Sequence, residues 1–362
     1  MCSIYEEVIA PYWTKPALLA GSYISLSAQS VDSDQPLSTS HRSSSVNGTR
    51  EPDGVTFIII QGLSSLSERQ MIPFVILLLG YIIILGGNSM IIFVTLTDPK
   101  LHSPMYFFLC HLSLVDMLFT TSTIPKMLAG FLSDVSTISV PGCFLQMFFF
   151  TQLTFTGHAI LAVMAYDRYV AICHPLHYIS IMTWQVQLLL IAGAWGFGIF
   201  TMLPYFIYAL LRPYCGPNVV KHAWCDPSSI RQLVCADTSL DNIVGLVTAT
   251  LSLLIPGVLI LTSYVLIGIS VLRMGVAQRL KAFRTCAAHL TVVSISFTSA
   301  SFVYISYRVG SFSPEVRIIV AVLYTALTPF LNPVVYSLRN KELQESIRRT
   351  LVRFRFSVIS VT

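Results

Sequence analysis

At 362 residues and 40.1 kDa, the chain is 54% hydrophobic and only 11% charged, where ordinary globular sequences carry about 25% charged residues. A mean hydropathy of +0.71 argues against a soluble fold, and equally against a disordered or collagen-like chain, which needs low hydrophobicity or a strict glycine period. The net charge of +5 is modest, and its distribution along the chain is more informative than its size.

Residues 1–70 are expected to form an extracellular, largely disordered region, because the Ser-rich stretch from Ser22 to Ser45, with Asp32, Asp34 and Pro36, lacks any apolar period. Asn47-Gly48-Thr49 in that region is an N-glycosylation acceptor. The apolar run from Ala17 to Ala28 is interrupted by Gly21, Ser22 and Ser25 and follows Glu6 and Glu7, so targeting is assigned to the first membrane helix rather than to a signal peptide. Seven windows then follow, each close to the ~20 apolar residues that a ~30 Å hydrocarbon core requires. They run from Ile72 to Thr97, Met105 to Leu132, Cys143 to Ala165, Val186 to Leu211, Ile243 to Leu272, Thr285 to Tyr307 and Ile318 to Leu338. Only the second contains Asp, Glu, Lys or Arg, at Asp116 and Lys126. Unpaired backbone groups are too costly in hydrocarbon, so all seven must be helices. The expectation is an all-α membrane protein, with a seven-helix bundle over 71–339 and a short amphipathic helix and tail over 340–362.

The connections on one side of such a bundle, with the C-terminal tail, hold twelve basic and four acidic residues, while the other side is slightly acidic. The basic side is cytoplasmic by the positive-inside rule, which places the N-terminus outside and predicts a multi-pass plasma-membrane protein. Four cysteines, Cys143, Cys215, Cys225 and Cys235, then fall on the oxidising side. They allow three connectivities. The ten-residue spacing of the last three favours a staple from Cys225 to Cys143 and a closed loop from Cys215 to Cys235. With no CxxC pair, a zinc site is disfavoured, and the lone His158 on an apolar face is not taken as a metal ligand.

An ionisable residue inside a membrane span is by default a functional candidate facing the bundle interior. Asp116 is that residue, and Asn88 and Asn332 are the polar groups expected to share its hydrogen bonds. Beyond the seventh span, Leu343, Ile347, Leu351 and Phe354 recur at helical spacing among Arg348, Arg349, Arg353 and Arg355, the pattern of a helix lying on anionic membrane lipid.

At the inner end of the third span stands Met164-Ala165-Tyr166-Asp167-Arg168-Tyr169-Val170-Ala171-Ile172-Cys173-His174-Pro175-Leu176-His177-Tyr178. Four further segments accompany it: Leu101-His102-Ser103-Pro104-Met105-Tyr106-Phe107-Phe108-Leu109, Ser263-Tyr264, Lys281-Ala282-Phe283-Arg284-Thr285-Cys286-Ala287-Ala288-His289-Leu290, and Pro329-Phe330-Leu331-Asn332-Pro333-Val334-Val335-Tyr336-Ser337-Leu338-Arg339-Asn340. Together they resemble the olfactory receptors, the odorant-binding branch of rhodopsin-like G-protein-coupled receptors, from about residue 55 to 345. The resemblance implies that a small, mostly neutral volatile or lipophilic ligand activates a heterotrimeric G protein of the olfactory type and raises cyclic AMP. It also implies that Arg168 pairs with Asp167 at rest beside Tyr169, and that Asn332, Pro333 and Tyr336 form an inner switch facing Tyr264.

The chain departs from the family pattern at several points. Arg284 stands where Ser is usual, and the N-terminal region is some forty residues longer than the usual leader. Gly157 stands where many members carry an acid, which removes a carboxylate that pairs with Asp116 around a sodium ion. Phasing the third helix outward from Arg168 yields His158, Thr154, Phe155, Thr151, Phe150 and Met147 on one face. By the resemblance, the upper part of that face lines the ligand cavity, opposite Thr248, Ser252, Phe297, Ser301, Tyr304 and Thr325. That set contains no charge, so Arg308 near the rim is the one expected counter-ion for a charged ligand. No phosphate loop or nucleophile elbow is present, and no enzymatic activity, cofactor, metal or nucleic-acid partner is expected. A receptor for a non-odorant small molecule is the near alternative. A transporter is the remote one, since no repeat or set of midplane charges is visible.

Overall fold

The computed structural model describes residues 56–62, 71–133, 135–215, 218–308 and 314–359, all within the compact unit Val55–Thr362. Asn47 and the Ser22–Ser45 stretch lie outside the described residues, as do the side chains of Arg308, Phe354 and Arg355. Eight long helices carry the fold: α1 (Met71–Thr97), α2 (Pro104–Phe131), α3 (Val140–Cys173), α4 (Trp184–Leu210), α5 (Ser239–Leu272), α6 (Val276–Arg308), α7 (Pro314–Arg339) and α8 (Lys341–Ile359). The first seven include spans long and apolar enough to cross a membrane, in register with the windows read from sequence. The expected fold class is thus the observed one.

Local chemistry sets the helix starts. Ser139 opens α3 with its hydroxyl accepting from the Gly142 amide at 3.2 Å and with Pro141 in the first turn. Thr183 caps α4 in the same way, accepting from the Val186 amide. Both satisfy amides that a helix cannot pair internally. Asn340 separates α7 from α8, its side-chain oxygen accepting from the amides of Glu342 and Leu343.

α3 is the axis of the bundle: 67% of its most apolar window is buried, against 17% for α1 and α5, whose outer Leu, Ile and Val side chains stand exposed to the place of lipid. Gln152, Thr156 and His158 are therefore buried on α3 among apolar neighbours, and Gln152 Nε2 donates to the Thr156 hydroxyl at 2.9 Å. α4 reaches this polar stripe through a glycine. A β-carbon on Gly198 would stand 2.1 Å from Thr156 Oγ1 and 2.7 Å from the Gln152 carbonyl oxygen, so only a hydrogen fits.

One end of the bundle carries a cap. Strand β1 (Phe57–Ile60) lies between β2 (Ser136–Ser139), with which it runs antiparallel, and β3 (Val219–Val220), with which it runs parallel. The strand falls within residues 1–70, expected to be largely disordered, and is a local β-branched and aromatic run beyond the Ser-rich stretch. Its Ile58 and Ile60 bury against Phe144, Met147, Met202, Val220 and Ile230. Two disulfides lock this end, Cys143 to Cys225 with Cα atoms 5.4 Å apart and Cys215 to Cys235 at 5.7 Å. Lys126, near the same end of α2, reaches the Thr137 carbonyl of β2 at 2.5 Å.

At the opposite end α8 folds back on α1. Arg349 pairs with Asp98 at 2.6 Å, and the Tyr106 hydroxyl donates to Glu342 at 2.9 Å. A hydrogen bond from Ser346, with help from the Lys100 amide and the Arg349 charge, holds the Asp98 carboxyl below the ordinary aspartate range. Leu343 is fully buried by this docking and Ile347 partly, while Leu351 remains exposed, so only part of the apolar stripe is left for lipid.

Because one wall at Gly198 is backbone, Gly198→Ala is expected to destabilise the bundle by about 1–3 kcal/mol through overpacking, read as a lower unfolding temperature in detergent. Gly193→Ala, which meets nothing within 4 Å, is the matched control and should be neutral. Equal unfolding temperatures for the two variants would refute the contact.

Candidate ligand cavity and switch network

A cavity of about 340 Å³ opens between α3, α4, α5, α6 and α7 beneath the cap, within the size range of sites for small organic molecules. α3 supplies Phe150, Thr151, Thr154, Phe155 and His158, spaced so that all five fall on one helical face. Thr248 and Ser252 line it from α5, and Tyr304 from α6, beside Ala300 and Val303. Seven of the ten residues expected from sequence are thus brought together. The other three lie elsewhere. Phe297 packs its ring 4.9 Å from that of His158, and it lines neither this cavity nor the smaller one below. Ser301 sits one residue beyond Ala300, a rotation of about 100° around the helix, and does not line the space. Thr325 is fully buried and donates to the Ala321 carbonyl of its own helix at 2.9 Å; Tyr324 occupies the wall instead. Met147 is buried in the apolar cluster under the cap.

The roof is the segment after β3, with Trp224, Asp226, Pro227, Ser228 and Arg231 lining the cavity. Sequence periodicity cannot find such loop residues. Three contacts fix it from below. The Cys225 amide donates to Gln146 at 3.0 Å, the Tyr205 hydroxyl donates to the Pro227 carbonyl at 3.1 Å, and Trp224 packs against Phe150 at 5.1 Å. The roof overturns the expectation that no charge faces the ligand, because Asp226 and Arg231 both do. Two lining residues also carry buried polar atoms without a partner among the described residues, Thr151 Oγ1 and Trp224 Nε1. Groups of this kind are rare in folded proteins, and a bound ligand or water can satisfy them.

Below lies a space of about 40 Å³ that shares Thr154, His158 and Tyr324 with the main cavity and includes Asp116, Gly157, Ser296, Thr328 and Asn332 in its wall. Asn332 Nδ2 donates to the Asp116 carboxylate at 2.7 Å, linking α7 to α2. Asn88 does not join them. Its amide donates instead to the Pro329 carbonyl at 3.1 Å and to Ile84 of its own helix at 2.9 Å. The reason lies in Pro333, which has no amide hydrogen to offer the carbonyl four residues earlier. Asn88 supplies the missing donor, and Gly87 lets α1 approach, since a β-carbon there would stand 3.0 Å from Pro333 Cβ. The Tyr336 hydroxyl is buried without a hydrogen-bond partner among the described residues.

Farther along, His289 of α6 bridges three helices. Its Nε2 lies 3.1 Å from the Leu161 carbonyl of α3, which requires a proton on that nitrogen, so Nδ1 accepts from the Tyr264 hydroxyl of α5 at 2.7 Å. His289 lies in the Lys281–Leu290 segment, and nothing in its sequence spacing shows which helices it joins. At the end of α3, Arg168 Nε and Nη2 both donate to Asp167 Oδ2, the former at 3.0 Å, and the Tyr178 hydroxyl donates to Oδ1 at 2.7 Å. Burial, with the Asp167 charge, pushes the Tyr178 phenol well above the ordinary tyrosine range, so it stays a donor. The Tyr169 hydroxyl lies 3.2 Å from His174.

A profile of the olfactory receptor family matches residues 77–354. The chain belongs to the olfactory receptor family. Olfactory receptor 2V1 of Mus musculus is 41% identical over 298 residues, covering 82% of this chain and 94% of the relative, and olfactory receptor 10A5 of Homo sapiens is 43% identical over 300 residues, again covering 82% and 94%. The fold is also similar to the crystal structure of squid rhodopsin, with a TM-score of 0.62 at 19% identity over 76% of this chain and 83% of that one. This olfactory receptor is accordingly an odorant-sensing G-protein-coupled receptor and a multi-pass protein of the plasma membrane.

The role given to Asn88 has a direct test. Asn88→Leu keeps the branched side-chain skeleton but leaves the Pro329 carbonyl of this olfactory receptor unsatisfied, a cost of about 1–3 kcal/mol. The unfolding temperature of the solubilised receptor should fall, and an unchanged value would show that Asn88 is not the donor that matters.

Proposed function

We propose that this receptor binds a small, mostly apolar molecule in the cavity under the cap and couples to an olfactory-type heterotrimeric G protein that raises cyclic AMP. The disulfide end faces outward and the Arg168 end meets the G protein, in keeping with the excess of basic residues on the latter side. The ligand-contacting residues are Phe150, Thr151, Thr154, Phe155, Thr248, Ser252 and Tyr304, with Tyr324 added. Phe297, Ser301 and Thr325 act from behind that wall. Asn47 is the glycosylation acceptor, and the exposed Arg-rich face of α8 rests on inner-leaflet lipid.

The observation that carries this reading is the shared wall. Thr154, His158 and Tyr324 belong at once to the ligand cavity and to the small polar space holding Asp116 and Asn332. A ligand pressing on that wall acts on α3 and α7 together. It activates only if it binds the arrangement in which the inner contacts are changed more tightly than the resting one. Those contacts are Asp116 with Asn332, the unpartnered Tyr336 beside Pro333, the Tyr264–His289 bridge, and Asp167 with Arg168 and Tyr178, next to Tyr169. Arg168 is the charge that the G protein meets once Asp167 releases it.

Two variants test the coupling in cells that express the receptor with an olfactory-type G protein. Arg168→Ala is expected to abolish ligand-stimulated cyclic AMP at normal surface expression, and a full response from it would sink the assignment. Tyr178→Phe removes one donor from Asp167, a charge-assisted bond worth about 1.5–3 kcal/mol, so ligand-free cyclic AMP should rise roughly tenfold where the resting state dominates. Unchanged basal signalling would show that Tyr178 does not hold the resting state.

A further inference from the structure

The cavity roof contains two opposite charges in very different circumstances. Asp226 caps the helical turn Pro227–Arg231, its Oδ2 accepting from the Ser228 amide at 3.0 Å and from the Ser228 hydroxyl. Arg231 closes the same turn, lines the cavity and is partly buried, yet its guanidinium has neither an ion pair nor a hydrogen bond among the described residues. The neighbouring carboxylates are already engaged. Asp241 is buried and paired with Arg212 at 2.9 Å, and Asp237 accepts from the Ser239 amide and hydroxyl. The guanidinium lies over α5 where that helix has no side chain, since a β-carbon built on Gly245 would stand 3.7 Å from Arg231 Nη1. It is a permanent positive charge with five donors, at the top of a space whose apolar wall is made by Phe150, Phe155, Met202, Leu253 and Val303.

We propose that Arg231 is the anion-recognition group of this receptor, and that its preferred ligands are small amphiphilic monocarboxylates, with the carboxylate at Arg231 and the apolar tail directed toward Phe150 and Phe155. One guanidinium matches one carboxylate in charge and in its two-pronged geometry, and a half-desolvated cation gains most from such a partner. A dianionic phosphate would leave charge uncompensated, since Arg231 is the only lysine or arginine lining the cavity among the described residues. An amine would have to compete with Ser228 for Asp226 while facing the Arg231 charge. The inference rests on the cavity being the ligand site, as proposed above.

The test uses full-length receptor in lipid nanodiscs and, in parallel, the cyclic AMP assay in cells, with octanoate, octanol and octylamine as probes that share one tail. Octanoate should raise the unfolding temperature most. Arg231→Gln should weaken the octanoate effect by at least about tenfold and leave octanol little changed. Arg231→Lys, which keeps the charge but loses the fork, should fall between. The proposal is overturned if octanol or octylamine matches or exceeds octanoate on the wild type, if octanoate does not stabilise it, or if Arg231→Gln weakens acid and alcohol alike. Should Arg231→Gln fail to reach the surface, the ranking on the wild type and on Arg231→Lys decides. Stabilisation by octanoate that depends on Arg231 without any cyclic AMP response would support the recognition step and refute the coupling instead.

Discussion

The covalent tie between Cys143 and Cys225 joins the most buried helix of the bundle to the segment that roofs its cavity. Without that tie the roof would be joined to α3 and α4 only through noncovalent contacts such as the hydrogen bonds of Tyr205 and of the Cys225 amide. With it, Trp224 is held on Phe150, and the charged turn from Asp226 to Arg231 stands over the space between the helices. A membrane bundle in hydrocarbon has little hydrophobic drive to close upon itself. Its enclosed volume therefore depends on tethers of this kind and on close contacts such as Gly198 against Thr156.

Below the roof, buried polar groups act as connectors between helices. Asn332 joins Asp116 across α7 and α2, Asn88 joins the Pro329 carbonyl across α1 and α7, and His289 joins Tyr264 and Leu161 across α6, α5 and α3. A carbonyl released by proline or a lone carboxylate is expensive in a low-dielectric interior, so each connection is strong while it lasts and must be replaced when it breaks. The unpartnered atoms of Tyr336, Asn332 and Ser296 lie along the same line and offer places for such replacement.

The seven spans and the class of fold were legible because lipid imposes a simple composition and length on every crossing. The cavity face of α3 was legible for another reason: Arg168 gives that helix an absolute phase, and fourteen to eighteen residues of regular helix carry the phase up to Thr154, Thr151 and Phe150. α6 and α7 had no comparable anchor near the cavity. Pro329 and Pro333 interrupt the backbone bonding of α7, and Tyr324 faces inward where Thr325 was expected. The roof was hidden altogether, since Asp226 and Arg231 act through a loop whose path is set by cysteines and not by periodicity. The partner of Asn88 was hidden too, because the sequence displays Pro333 without showing which donor answers the carbonyl it frees.

Strand β1 has a consequence for biosynthesis. It precedes the first membrane helix, yet it is the middle strand of its sheet and bonds on one side to residues near 137 and on the other to residues near 220. During synthesis the chain emerges in order, and a pairing so distant in sequence cannot form until most of the helices have been made. One edge of Phe57–Ile60 must therefore wait for β2 through the insertion of two spans, and the other for β3 through four. The cap is then a late checkpoint on assembly, completed only in molecules whose first half has already threaded correctly.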